Sequence, residues 1–473
     1  MKLLFAAAEI YPYAKTGGLA DVAQALPKAL SEKIEVRSIM PLYDFIDRDS
    51  FDIKTLNKSL EITLGENLYR ITLYRGFNHD VETLFVYEPL LCKKPSPYGD
   101  ENGDYTENDL RFGIFSKAVV AVAQIYTVDI LHLNDWHTAL AALWAQEIFP
   151  ELHTVFTIHN LAFQGLFPLG TMQRLGLSDD YFRPEGIEFW GQMNCMKAGI
   201  AYSDVVTTVS PRYAEEIQQP EFGCGLDGFL RVYRHKLYGI LNGIDTLLFD
   251  PKQDPALPYR YSEKSLKAKM KNKHLFCMER RFTKIRQPLF IFIGRFTRQK
   301  GLDLIIEALP SLLEMKLNLA IIGEGDSEAG SRLQEAARQH NNLWLFLGYN
   351  ESLSHQMYAA ADFLLMPSSF EPCGLNQLIS LRYGTLPIVH RVGGLYDTIR
   401  DLDDEDSEIC GRGIAMQTFD SSGLIEVVKR AVKLHRSPKT FEKTAKSNMR
   451  CDVSFQKSAE AYLVLYREIL GNR

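Results

Sequence analysis

The stretch KLLFAAAEIYPYAKTGGLADVAQALPKALSEKIEVRSIM (2–40) decides how the rest of the chain is read. It opens on the apolar run KLLFAAA (2–8), which stops at Glu9. That run is too short for the hydrophobic region of a signal peptide and reads as a strand buried on both faces. A loop carrying Gly17 and Gly18 follows, then a helical pattern from Leu19 to Leu30, then a second strand at IEVRSIM (34–40). Strand, glycine loop, helix and strand make one βαβ unit, and such units build a mostly parallel sheet.

Outward from that unit the alternation continues. Strands are predicted at 129–134, 153–159 and 205–210, with helical patterns between them. A second series runs through 288–293, 318–323, 343–347, 363–367 and 386–391. Residues 51–88 alternate with period two, which predicts antiparallel hairpins inserted as a lobe near 51–90. LCKKPSPYGDENGDYTEN (91–108) is polar and rich in Pro and Gly, hence a loop. Residues 238–262 lack periodicity and read as a linker. The expected organisation is α/β: a Rossmann-like domain over 1–243, a second over 244–452, and a C-terminal helix at 453–473 packing back on the first domain. The two parallel sheets would face each other across a deep cleft, with ligands at the carboxyl ends of the strands.

Composition bounds the function. The chain has 473 residues, 46% hydrophobic and 24% charged, ordinary for a globular protein with no need of a staple. Lys and Arg number 53 against 59 Asp and Glu, a net charge of −6. That excludes a broad nucleic-acid or anionic-membrane surface, though not a small anion site. No stretch approaches the roughly 18 apolar residues of a membrane span, so a soluble, cytoplasmic protein is expected. The seven Cys show no C-x-x-C spacing, which argues against structural zinc and predicts idle thiols.

The chemistry-bearing residues fall at predicted strand ends. Lys15-Thr16-Gly17-Gly18 offers a cation and a helix N-terminus to an anion, without being a Walker A or G-x-G-x-x-G motif. GRFTRQKG (294–301) places Arg295 and Lys300 before a helix, where the dipole disfavours cations unless an anion binds there. PSSFEPCGLNQ (367–377) brings Glu371, Cys373, Gly374 and Leu375 to another strand end, and Gly393-Gly394 opens the next helix. HLNDWH (132–137) and TIHN (157–160) hold metal-ligand types. Strand alternation, however, puts His132 and Asp135 on opposite faces, so no metal is expected. Asp135, His159 and Asn160 read better as hydrogen-bonding groups for a polyhydroxylated ligand, with buried core polars as the competing reading.

In these residues and their neighbours the chain resembles the bacterial glycogen synthases and plant starch synthases. KTGGLADV (15–22), HLNDWHT (132–138), TIHNLAFQG (157–165), EFGCGLDG (221–228), GRFTRQKGLDL (294–304), SSFEPCGLNQ (368–377) and YGTLPIVHRVGGLYDT (383–398) carry the resemblance in order along the chain. It implies the GT-B architecture and retaining transfer of glucose from ADP-glucose to the non-reducing-end 4-hydroxyl of an α-1,4-glucan, with no cofactor. It further implies that Lys15, Gly17 and Gly18 face the donor diphosphate, that Arg295 and Lys300 hold the phosphates, and that Glu371 supports the anomeric carbon. Cys373, Gly374, Leu375, Gly393 and Gly394 would bind the donor through their backbone, Asp135 and Asn160 would bind sugar hydroxyls, and His159 would approach the anomeric centre. Asp21, Trp136 and His137 are candidates for the acceptor side. Four positions depart from the family pattern: Cys224, Ser369, His390 and Val392. The last three leave UDP-glucose open as donor. A non-catalytic glucan-binding protein on the same fold is the alternative of a different class, and the sequence leaves the oligomeric state open.

Overall fold

The computed structural model describes residues 1–101, 103–404 and 408–471. The chain forms two compact units: Met1–Asn242 with the chain from Phe455 onward, and Gly243–Ser454.

The first unit is built on a nine-stranded sheet. In chain order its strands are β1 (Lys2–Ala6), β2 (Glu35–Pro41), β3 (Lys54–Leu64), β4 (Asn67–Asn78) and β5 (Val81–Tyr87). Two short strands, β6 (Gly99–Asp100) and β7 (Gly103–Asp104), pair with each other outside it. Next come β8 (Ile130–Asn134), β9 (His153–Ile158), β13 (Val205–Thr208) and β14 (Leu237–Gly239), with β10 (Leu166–Pro168), β11 (Glu188–Phe189) and β12 (Gln192–Asn194) forming a small separate sheet. The main sheet runs in the order β14-β13-β9-β8-β1-β2-β5-β4-β3. It is parallel from β14 to β5 and antiparallel beyond. The helix Gly18–Ser31 buries Leu19, Val22, Ala23, Leu26 and Leu30 in one core with Phe455, Tyr462, Leu463 and Tyr466 of the terminal helix Phe455–Gly471.

One expectation is corrected here and one is refined. Residues 51–90 are not a separate lobe. β5 pairs parallel with β2, and Arg37 Nε donates to Glu82 across that seam at 2.7 Å, so the hairpins extend the main sheet. Period-two alternation reports antiparallel pairing but not the neighbour at its inner edge. Residues 238–262 contain the boundary between the units, between Asn242 and Gly243, as an inter-domain linker would, but the segment is anchored on both sides of it. β14 completes the first sheet, while Ile244, Phe249, Leu257 and Tyr261 are buried in the core of the second unit. Their Gly, Pro and Asp neighbours mask an anchoring pattern without helical or strand period.

The second unit has a seven-stranded, wholly parallel sheet. Its strands are β15 (Leu289–Ile293), β16 (Asn318–Gly323), β17 (Leu343–Leu347), β18 (Phe363–Met366), β19 (Leu386–His390), β20 (Ile399–Asp401) and β21 (Gly411–Met416), in the order β17-β16-β15-β18-β19-β21-β20. The sequence reading lacked β20 and β21. One is three residues long and the other begins GRG, a composition poor in strand signal. Those glycines are structural: a Cβ on Gly413 would stand 2.3 Å from the Pro387 carbonyl oxygen. Two of the seven Cys are not idle thiols but a disulfide, Cys410–Cys451. Spacing gave no hint, because the partners lie 41 residues apart.

Each sheet has a switch point, where successive strands leave a central strand first to one side and then to the other. In the first unit it lies between β1 and β8, in the second between β15 and β18. Crevices at such points are where doubly wound sheets bind ligands.

Candidate active site

At the first switch point the loop after β1 is held from within. Glu9, 3% exposed, accepts hydrogen bonds from the Thr16 amide, from Thr16 Oγ1 at 2.9 Å and from Tyr98 Oη at 3.0 Å. Burial raises its pKa, and the Thr16 bonds oppose the rise. Lys15 Nζ stands 2.7 Å from Asp21 Oδ1, so the cation and the acceptor-side candidate form an ion pair. Gly17 caps the helix Gly18–Ser31 with extended backbone and no side-chain cap bond, and a Cβ there would meet nothing within 4 Å. A helix start without a side-chain cap, beside a lysine, suits an anion.

After β8, Asp135 has φ 56° and ψ 177°, a region that non-glycine residues seldom occupy. Its Oδ1 accepts from the His159 amide at 2.8 Å. Burial pushes its carboxyl up to about 7, against amide bonds from His159 and Asn160 that favour the charged form. His159, after β9, exchanges a hydrogen bond through Nε2 with Asn134 Oδ1 at 2.8 Å, and burial drops its pKa to about 3. His137 stacks on Tyr98 with ring centroids 4.5 Å apart and lies 4.1 Å from the Trp136 ring. Its Nδ1 has no hydrogen-bond partner among the described residues. His132 belongs elsewhere: its ring bonds Tyr466 Oη and Thr157 Oγ1, both at 2.6 Å, in the core. Among the described residues no group of three His, Cys, Asp or Glu is placed to hold a metal ion.

At the second switch point three loops meet at the carboxyl ends of the adjacent strands β15, β18 and β19. Lys300 Nζ lies 2.7 Å and 2.9 Å from the two oxygens of Glu371, which is 4% exposed. Ser368 Oγ donates to the same carboxylate at 3.0 Å. The carboxylate is therefore bound by a cation and a hydroxyl rather than bare. Arg295 is exposed just beyond β15. Gly301 has φ 67°, and a Cβ there would fall 1.8 Å from the Pro367 carbonyl oxygen, so the Lys300 loop lies directly against the end of β18. The Ser369 amide donates to Gln299 O at 2.9 Å, and Asn376 Nδ2 to Ile293 O at 2.7 Å.

The glycines after β19 complete this cradle. The Gly394 amide donates to Glu371 O at 3.0 Å, and a Cβ on Gly393 would lie 2.0 Å from that oxygen. A Cβ on Gly394 would meet Cys373 O at 2.1 Å. Gly374 has φ 73°, and Gln377 Nε2 donates to the carbonyls of Cys373 and Gly374. Leu375 caps the short helix Asn376–Arg382. The departures have places as well. His390 Nδ1 lies 2.8 Å from Ser368 O, bracing the Glu371 segment, and Val392 caps the helix Gly393–Thr398.

The structure thus gathers Lys15, Gly17, Gly18 and Asp21 with Asp135, Trp136, His137, His159 and Asn160 around one sheet edge of the first unit. It gathers Arg295, Lys300, Glu371, Cys373, Gly374, Leu375, Gly393 and Gly394 around one edge of the second. Sequence reasoning missed Glu9, Tyr98 and Ser368. Glu9 stood out only as the charge that ends an apolar run, and Tyr98 lies 89 residues from it in a loop without periodicity.

Two doubly wound units, each with charged and glycine loops at its switch point, define a glycosyltransferase of the GT-B fold. A sucrose-phosphate synthase of Thermosynechococcus elongatus shares that fold, with TM-score 0.63 at 16% identity over 100% of both chains. Residues 2–232 match the starch synthase catalytic domain family, and residues 278–448 match the glycosyl transferases group 1 family. A glycogen synthase of Bacillus cereus is 40% identical over 484 residues, covering 99% of this chain and 100% of its own. One from Syntrophotalea carbinolica is 38% identical, covering 99% of each. The catalytic domain of starch synthase IV from Arabidopsis thaliana, bound to ADP and acarbose, superposes with TM-score 0.92 at 32% identity, covering 100% of this chain and 99% of its own. The chain belongs to the glycogen and starch synthase family and is a hexosyltransferase.

Proposed function

We propose that the protein elongates α-1,4-glucan in the cytoplasm, transferring glucose from ADP-glucose to the non-reducing-end 4-hydroxyl with retention and without a cofactor. The observation that carries this reading is the buried Glu371 carboxylate clasped by Lys300 at the second switch point, where Arg295 stands exposed at the end of β15. Lys300 and Arg295 stabilise the departing nucleoside diphosphate, the task a metal ion performs elsewhere. Glu371, already hydrogen-bonded, acts as an electrostatic partner for the anomeric carbon rather than as a nucleophile. The acceptor hydroxyl therefore attacks from the face the diphosphate leaves. The C1–O bond to phosphate breaks, the new C1–O bond forms, and the hydroxyl proton passes to the leaving phosphate oxygen. His159, its ring and amide held, directs its carbonyl oxygen toward the anomeric centre, while Asp135 and Asn160 take sugar hydroxyls. Lys15 and the loop at Gly17 and Gly18 serve the donor diphosphate. Asp21, Trp136 and His137 serve the acceptor.

ADP-glucose is supported by the likeness to a starch synthase solved with ADP. The departures from the family pattern at Val392 and His390 make the donor base the point to test. Incorporation of labelled glucose into glycogen is measured with ADP-glucose and UDP-glucose, with EDTA present. Incorporation from ADP-glucose, undiminished by EDTA and reduced by orders of magnitude in Lys300→Ala, is expected. A preference for UDP-glucose would overturn the donor assignment. Glucan binding without transfer from either donor would overturn the reaction.

A further inference from the structure

Residues 260–286 carry ten Lys and Arg against two acids, Glu263 and Glu279. That is a net +8 within a chain of net −6, so the remaining residues together carry −14. Three of the cations serve the fold. Lys269 Nζ donates to the carbonyls of Tyr358 and Ala359 and to Thr385 Oγ1, Lys273 Nζ pairs with Asp362 at 2.6 Å, and Arg280 pairs with Glu279. Arg260, Lys267, Lys271, Arg281, Lys284 and Arg286 are exposed, and among the described residues none has a carboxylate at ion-pair distance. Lys267 opens the helix Lys267–Glu279, whose first turn holds no acid, and the dipole there disfavours a cation. Arg281 has φ 60° just past the helix, in the left-handed position that glycine usually fills. A surface helix that only needs solvation gains from mixed charges. Unpaired like charges held at these positions are relieved by an anion from outside.

A cavity of about 570 Å³ lies within this basic surface, lined by His274, Thr283, Lys284, Ile285, Arg286 and Gln287. Its loop is braced: the Gln287 amide and Asn318 Nδ2 both donate to Lys284 O, each at 3.0 Å. The lining offers hydrogen-bond donors from an ammonium, a guanidinium, an imidazole, a hydroxyl and a carboxamide, and it contains no carboxylate. An Arg forks two phosphate oxygens while a Lys beside it acts as a point charge. The volume is that of a small-molecule site. The donor cradle is a different place. The cavity loop enters β15 at its amino end, whereas Arg295 follows its carboxyl end, and the five residues of that strand span roughly 17 Å. An extended polyanion is disfavoured, because the acidic excess elsewhere on the chain repels it.

We propose that the cavity between His274 and the loop Thr283–Gln287 binds a small phosphorylated metabolite carrying at least two anionic groups. Lys284 and Arg286 hold the phosphoryl oxygens, and His274, Thr283 and Gln287 supply the neutral hydrogen bonds. The site lies at the amino ends of the strands of the second unit, away from the donor cradle, and does not depend on which sugar nucleotide the enzyme uses.

The test is isothermal titration of the full chain with fructose 1,6-bisphosphate and with inorganic pyrophosphate, in about 150 mM salt, with and without saturating ADP. Wild type is compared with the double variant Lys284→Ala/Arg286→Ala. Both side chains are exposed, so the variant folds, and an unchanged circular dichroism spectrum and melting temperature verify it. Expected is saturable binding of one equivalent of the bisphosphate to wild type, with the same Kd when ADP is present. The double variant should bind about tenfold more weakly or worse, the equivalent of at least one charge-assisted hydrogen bond. Absence of saturable binding of either probe to wild type, or equal affinity in the double variant, would overturn the site. Displacement of the probes by ADP would place them in the donor cradle and overturn it as well. Failure of both small probes alongside capture of poly-L-glutamate that requires Lys284 and Arg286 would replace the metabolite site with a docking face for an acidic protein.

Discussion

Asp135 combines three unfavourable circumstances: a backbone conformation suited to glycine, near-complete burial, and a carboxyl pushed up to about 7. Nothing in the fold of the first unit requires them together, and strain of this kind persists where a side chain must be aimed. The His159 amide supplies the aim, at 2.8 Å from Oδ1. The raised pKa has a signed consequence. The folded chain keeps the Asp135 proton up to about pH 7, whereas the unfolded chain releases it near pH 4. Folding takes up a proton between those values, so this group's contribution to stability is complete below the window and is lost as pH rises through it. The loss is at most about 1.4 kcal/mol per pH unit. Asp135→Asn keeps the acceptor for the His159 amide and removes the titration. Wild-type stability relative to that variant, from urea midpoints between pH 4.5 and 8, should therefore fall with rising pH. A difference that stays flat would mean that Asp135 ionises as an ordinary aspartate.

At the scale of elements, loops at strand ends carry the chemistry, and glycines set how close they come. Much of this was legible. Charged residues and glycines recur after apolar strands, and the parallel order of the strands brings those recurrences to one edge. Illegible was what holds the loops, because Glu9–Tyr98 and Lys300–Glu371 join residues 89 and 71 apart. The glycines also play two roles that the sequence does not separate. Gly301 is required by the fold, with φ 67° and the Pro367 carbonyl 1.8 Å from any Cβ. Gly17 is not, since its φ of −158° suits any residue and its Cβ would meet nothing within 4 Å. Gly301→Ala should accordingly lose about 3 kcal/mol or more of stability, together with activity. Gly17→Ala should unfold within about 1 kcal/mol of wild type yet raise the donor KM, because its methyl group occupies space the diphosphate needs. Denaturation curves and steady-state kinetics on both variants decide this. Normal kinetics in Gly17→Ala would remove the loop after β1 from the donor site.

The molecule as a whole follows the alternation of apolar runs and amphipathic helices, which is why two doubly wound sheets could be read without coordinates. Tertiary anchoring escaped, both in the linker 238–262 and at the far edge of the second sheet. The disulfide belongs to that edge. Cys410 precedes β21, and Cys451 lies just after the helix Pro438–Asn448. Asn448 already closes the same loop without it: Nδ2 donates to Arg412 O at 2.8 Å, and Oδ1 accepts the Arg412 amide at 3.0 Å. The native closure therefore survives reduction, and the bond acts mainly on the unfolded chain, where tying residues 41 apart removes conformational entropy. In the chain-entropy description that amounts to about 4 kcal/mol. Reduction, or Cys451→Ser, should leave the native circular dichroism and the transferase rate unchanged. It should lower by up to that amount the opening free energy of slowly exchanging amides in Gly243–Ser454, while those of β1, β8 and β9 in the first unit keep theirs. Hydrogen exchange read by mass spectrometry, with and without dithiothreitol, separates the two units. Unchanged protection in the second unit would mean that the bond does not constrain the opened chain, or that the two thiols remain unlinked, and the intact mass distinguishes the two because the bond removes two hydrogens.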